Sequence, residues 1–94
     1  MYARLVRFSL GPGKRAVAQA VADDLAPQIA AMPGCSSVTV FASDSDGECG
    51  LFVLWATVAD ANAAAQQIRP QLERHLAGHV QGPPDARLFE VISK

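Results

Sequence analysis

Charge is scarce in this chain and nearly balanced. Asp, Glu, Lys and Arg make up 18% of it, eight basic residues against nine acidic, for a net charge of −1. It has no run of Lys or Arg and no interleaving of basic with aromatic residues, which argues against a nucleic-acid partner. No apolar stretch is long enough for a membrane span, and no signal-peptide pattern or lipidation motif is present. No membrane partner is therefore expected, and the expected location is cytoplasmic. Cysteine occurs only at Cys35 and Cys49, without C-x-x-C spacing. The two read as reduced thiols, with one disulfide or one reactive thiol as the alternatives. No Ser/His/Asp constellation, phosphate-cradling glycine loop or cluster of metal ligands can be read from the spacing. Asp44, Asp46 and Glu48 superficially resemble a calcium loop. The turn is too short and lacks the later bidentate glutamate, so no metal is expected there.

What the chain does have is apolar residues, 50% of its 94. One domain spanning 1–94 is expected, since a chain of this length buries roughly 60–70% of its unfolded surface. The apolar share is rich for a small monomer and points to surface covered by a partner, although much of the excess is alanine.

Tyr2 to Ser9 alternates in part and stops at Gly11-Pro12-Gly13, as a strand ending in a turn does. From Lys14 to about Met32, Val17, Val21, Leu25, Ile29 and Met32 recur at helical spacing. Pro27 lies inside that stretch and predicts a kink or partial break. Pro33-Gly34 ends the helix. Ser36–Ala42 and Leu51–Thr57 read as a hairpin around the polar turn between them. Asp60–Gln67 is an alanine-rich helix, which Pro70 separates from a short helical piece running to about Ala77. Ala86–Ile92 closes the chain as a strand.

The order is β-α-β-β-α-β, and the expected class is α+β. The arrangement is a ferredoxin-like antiparallel sheet with both helices on one face. Leu51 to Ala56 is apolar at every position, so that strand needs cover on both sides. The helices cover one side. A second copy, packed sheet to sheet, would cover the other, and a homodimer through the sheet faces is expected.

Several short motifs carry a family resemblance. They are Gly11-Pro12-Gly13-Lys14, Met32-Pro33-Gly34, Leu54-Trp55-Ala56-Thr57, Ala59-Asp60-Ala61 and Phe89-Glu90-Val91. In this order and spacing, nearly the whole chain resembles the antibiotic biosynthesis monooxygenase family of the dimeric α/β barrel superfamily. The resemblance implies a homodimer whose two sheets form a barrel, with a pocket in each subunit between sheet and helices. Relatives of this kind include cofactor-independent monooxygenases that oxidise polycyclic aromatic phenols with dioxygen. Others bind and degrade haem, and some are isomerases.

Against that background His75 and Arg7 are the candidate catalytic residues. Pro70 to His79 is similar to the helix that supplies the proximal haem ligand in the haem-degrading relatives, which would make His75 that ligand. The sequence departs from that branch, with Arg7 standing where an asparagine, and Gln66 or a neighbour where a tryptophan, would be expected. A local hydrogen-bonding role for His75 is the alternative. Arg7 shares a strand face with Ala3, Leu5 and Ser9, opposite Tyr2, Arg4, Val6 and Phe8. If Arg7's face looks into the pocket, Arg7 stabilises a phenolate or enolate; otherwise it reaches solvent or an acid across the dimer. Arg4 is expected at the interface or rim, and Asn62 in solvent near a helix start.

Trp55, Leu5 and Leu72 are the expected wall for a small apolar or aromatic ligand, with core packing as the alternative for Trp55. Three functions remain open: a cofactor-independent oxygenase using His75 as proton acceptor, a haem protein ligated by His75, and a non-catalytic dimeric binding module.

Overall fold

A computed structural model describes residues 1–93. The elements follow the expected order: β1 (Tyr2–Ser9), α1 (Arg15–Ala30), β2 (Cys35–Ala42), β3 (Glu48–Trp55), α2 (Val58–Leu76) and β4 (Asp85–Glu90). The four strands form one antiparallel sheet in the order β2-β3-β1-β4, with β1 paired to β3 on one side and β4 on the other. This is the α+β, ferredoxin-like fold anticipated from the sequence. In a single chain the sheet is open, and both helices lie on one of its faces.

Two expectations about the helices are corrected. α1 runs unbroken through Pro27, and α2 runs unbroken through Pro70 across nineteen residues. A proline removes one hydrogen bond, here those to the carbonyls of Asp23 and Gln66. Asp23, Gln66 and both prolines are on the solvent side, where water replaces the missing donor. The glutamine after each proline helps to hold the turn: Gln28 Nε2 donates to the Asp24 carbonyl at 3.0 Å, and Gln71 Nε2 to the Gln67 carbonyl at 3.2 Å. α2 also begins well. Thr57 is extended and its hydroxyl accepts from the Asp60 N–H at 3.0 Å, while Asp60 and Arg74 complement the two ends of the helix dipole.

The core lies between helices and sheet. Val21, Leu25 and Ile29 of α1 and Ile68, Leu72 and Leu76 of α2 meet Phe8, Leu51, Val53 and Trp55 of the central strands. α2 packs against α1 and over the central strands β1 and β3. Its inward side near the start carries Ala61, Ala64 and Ala65, whose side chains end at Cβ.

β3 shows why its unalternating sequence matters. Leu51, Val53 and Trp55 are 2–3% exposed beneath the helices, whereas Phe52 on the opposite face is 39% exposed. Phe41 and Phe89 are exposed to a similar degree. Register places both beside Phe52, Leu5 and Leu54 on that outer face. Gly50 shapes this surface, because a Cβ there would strike the Phe41 ring.

Among the described residues, no helix is long and apolar enough to cross a membrane.

Candidate functional site

Between α2, where it presents its alanines, and the sheet lies a cavity of about 470 Å³. That is within the range of small-molecule sites, about 300–1,000 Å³. Trp55, Val53 and Leu51 form its floor on β3, with Ile68 and Leu72 of α2 opposite. It opens beside Pro84 and the start of β4. Four charged groups on three elements line it: Arg4 from β1, Arg69 and Glu73 from α2, and Asp85 from β4.

Trp55 and Leu72 therefore stand where they were expected. Arg7 and Leu5 do not. In β1 the helix-facing residues are Arg4, Val6 and Phe8, because Val6 lies opposite Leu51 and Arg4 opposite Val53. Arg7 lies on the outer face, where its Nη2 pairs with Glu48 Oε1 at 2.8 Å. Leu5 shares that face, opposite Phe52. The alternation of side chains allows no other outcome once Phe8 is in the core.

His75 is also outside the cavity lining. It faces α1, and its Nε2 is 2.7 Å from Asp24 Oδ2. The contact lowers the Asp24 carboxyl below its ordinary value, chiefly through the hydrogen bond to His75 and against the opposing effect of desolvation. A carboxyl depressed in the folded state adds stability above its unfolded value, about 3.9, and loses it as pH falls through the folded one. Wild-type protein is thus expected to lose stability below that value, and Asp24→Asn to lose less over the same acid range. Urea midpoints measured across that range check this; parallel curves for the two proteins would contradict it.

The residues that spacing did not single out are Arg4, Asn62, Arg69 and Glu73. Arg4 is half-buried on the helix-facing side of β1: its Nη2 donates to Asn62 Oδ1 at 3.0 Å, and its Nε is buried. Burial, and secondarily the charge of Arg69, lower the Arg4 pKa below its ordinary value. Asn62 is thereby tied to the site rather than merely solvated. A signal did exist in the sequence. Asn62, Arg69 and Glu73 recur seven and four residues apart, along one edge of the stripe formed by Ala61, Ala65, Ile68 and Leu72.

A second hollow, of about 490 Å³, lies at the other end of the sheet among Gly11, Lys14, Arg15, Asp44 and Cys49. Arg15 is paired there with Asp44. Cys49 and Cys35 are unpaired thiols, and burial pushes both pKa values up. Neither has the low-pKa setting of a nucleophilic cysteine. Among the described residues no three His, Cys, Asp or Glu side chains converge as metal ligands.

Haem does not fit this arrangement. The ligating atom of His75 is engaged by Asp24, and His75 is no part of the cavity wall. Iron ligation there would require the pair to separate and the ring to turn away from α1.

No family model matches the chain, and no curated protein matches it. Solved structures do. The chain is similar to NE2512 from Nitrosomonas europaea, a protein of unknown function, at 25% identity and a TM-score of 0.83, over 99% of this chain and 90% of that one. A second Nitrosomonas europaea protein, named as a candidate antibiotic biosynthesis monooxygenase, gives a TM-score of 0.84 at 18% identity, covering 99% of this chain and all of that one. The ActVA-Orf6 monooxygenase of Streptomyces coelicolor, solved with nanaomycin D, gives 0.78 at 20% identity, over 99% of this chain and 88% of that one. The chain thus has the fold shared by proteins named antibiotic biosynthesis monooxygenases, as the motifs of its sequence imply.

Proposed function

We propose that the chain is a monooxygenase of the antibiotic biosynthesis monooxygenase type, working without a cofactor on a small aromatic substrate in the sheet–helix cavity. One observation carries this reading: a cavity with an apolar floor at Trp55, in a fold shared with a monooxygenase solved with nanaomycin D. The reaction that suits such a site needs little from the protein. A phenol-activated ring methylene loses a proton, and the resulting carbanion transfers an electron to dioxygen. One oxygen atom ends in the new ring carbonyl and the other leaves as water, so methylene plus dioxygen gives ketone plus water.

The chain supplies three things. The apolar wall excludes water from the carbanion. Arg4 provides positive charge where the substrate anion develops. With His75 held by Asp24, Glu73 is the α2 carboxylate lining the cavity that can accept the proton.

The site is proposed to work within a homodimer. Phe41, Phe52 and Phe89 are exposed on one sheet face, and Arg7, Glu48 and Arg87 lie on the same face. A second copy with the same surface would bury the aromatics and exchange ion pairs around them.

A three-ring phenol with an activated methylene, 1,8-dihydroxyanthrone, is the test substrate. Chelator-treated protein is expected to consume one dioxygen per quinone formed, and Ala65→Phe, which fills the cavity, is expected to slow this by at least about ten-fold. Oxygen uptake no faster than buffer, or untouched by Ala65→Phe, removes the oxygenase reading. Uptake that appears only after haemin is added would favour the haem alternative.

A further inference from the structure

Arg4 is the charged group whose demands the chain leaves unmet. A guanidinium has five N–H donors and no acceptor. At Arg4 one of these donors reaches Asn62, a neutral amide, while Nε is buried with no acceptor among the described residues. The ion pairs among the described residues are Arg7–Glu48, Arg15–Asp44 and His75–Asp24, so neither Glu73 nor Asp85, the carboxylates of the cavity lining, is within pairing distance of Arg4. The neighbouring charge is instead a second cation, Arg69, which lines the same cavity and disfavours the charged state of Arg4. Withdrawing a cation from water is unfavourable unless an anion replaces the lost hydration. Here two cations, with the carboxylates of Glu73 and Asp85, line a space walled by Trp55, Val53 and Leu72.

We propose that this cavity binds an aromatic carboxylate, its ring against Trp55 and its carboxylate on the Arg4 guanidinium, which Asn62 holds in place while Arg69 adds a second charge. This names the ligand class for the cavity reading above and rests on that reading. A carboxylate suits the site because its planar pair of oxygens matches the planar fork of a guanidinium. A phosphate would bring more charge and more bound water than the apolar wall accommodates. Asn62 acts as a positioning residue: its amide oxygen fixes the plane of the guanidinium, and it carries no charge that would compete with the ligand.

The test is isothermal titration calorimetry of the intact protein with 2-naphthoate and its neutral isostere 2-naphthamide near neutral pH and low salt. Naphthoate is expected to bind at least about ten-fold more tightly, as charge-assisted hydrogen bonds allow. Arg4→Met keeps the apolar stem and is expected to erase the preference while leaving amide affinity intact. Arg69→Gln, at an exposed position of α2, is expected to narrow it, as is added salt in the wild type. Equal binding of the two compounds, or a preference that survives both substitutions, overturns the proposal and leaves the cavity reading in place. Binding of neither compound overturns the cavity reading and the proposal with it. If Arg4→Met does not fold by circular dichroism, Arg69→Gln and the salt series decide: a preference untouched by either overturns the proposal.

Discussion

Phe52→Lys is expected to turn a micromolar dimer into a monomer. Phe52 projects from the middle of the outer sheet face, opposite Leu5 on β1 and Thr39 on β2, and is 39% exposed in the single chain. A sheet-to-sheet dimer would bury it in both copies, so each substitution counts twice. Losing a central aromatic contact costs about 2 kcal/mol or more, and an unpaired lysine buried in its place adds to that. Two copies together amount to about 4 kcal/mol, which weakens the dimer roughly a thousand-fold. Because Phe52 makes little contact with the chain's own core, the protomer is expected to keep its circular dichroism spectrum. Light scattering coupled to gel filtration checks the claim. A wild-type monomer at micromolar concentration, or a Phe52→Lys protein that stays dimeric, would contradict it.

Gly47→Ala is expected to destabilise the fold severely. Gly47 has φ of +75°, a region where a Cβ is strained against its own backbone. It is also pinned from both sides: its N–H donates to the Ser43 carbonyl at 2.9 Å, and its carbonyl accepts from the Leu10 N–H at 2.9 Å. These bonds press the β2–β3 turn onto the loop after β1, so that a Cβ on Gly47 would overlap the backbone of Gly11. Backbone cannot swing aside as a flexible side chain does. Strain of about 1–3 kcal/mol for the φ and a comparable figure for the overlap add to roughly 2–6 kcal/mol. The melting temperature should then fall by about 10 °C or more at matched protein concentration. A change of only a degree or two would show that the two loops are not locked together as described.

The fold was legible because its signals are local. The stop at Gly11-Pro12-Gly13, the Pro33-Gly34 boundary and the helical spacing of Val21, Leu25 and Ile29 each decide an element from a few neighbouring residues. The prolines misled for a definable reason. Pro27 and Pro70 each remove one hydrogen bond, but whether the freed carbonyl meets water or apolar core depends on the helix's orientation, which the sequence does not state locally.

The site was harder. Both faces of β3 are apolar, so its pattern did not say which face is inward, and β1 offered Val6 and Phe8 on one side against Leu5 on the other. The candidate role for Arg7 depended on its face looking inward, and the register puts that face outside and Arg4 within. His75 was read from helical context and a resemblance, but its partner Asp24 lies 51 residues earlier in the chain. Such a pairing exists only once α1 and α2 pack together. Trp55 and Leu72 lie in the core and also line the cavity, so for them inward position and cavity wall coincide.

The central claim is that small aromatic ligands enter between α2 and the sheet, against Trp55. Trp55 is the single tryptophan of the chain, so its indole N–H gives one unambiguous resonance in a 15N-labelled sample. Titration with 2-naphthoate is expected to shift that resonance together with Arg4 Nε, while the amides of Gly11 to Lys14 and of Phe52 stay in place. A Trp55 resonance that does not move while those of the Gly11–Lys14 hollow or the outer sheet face do would contradict the account.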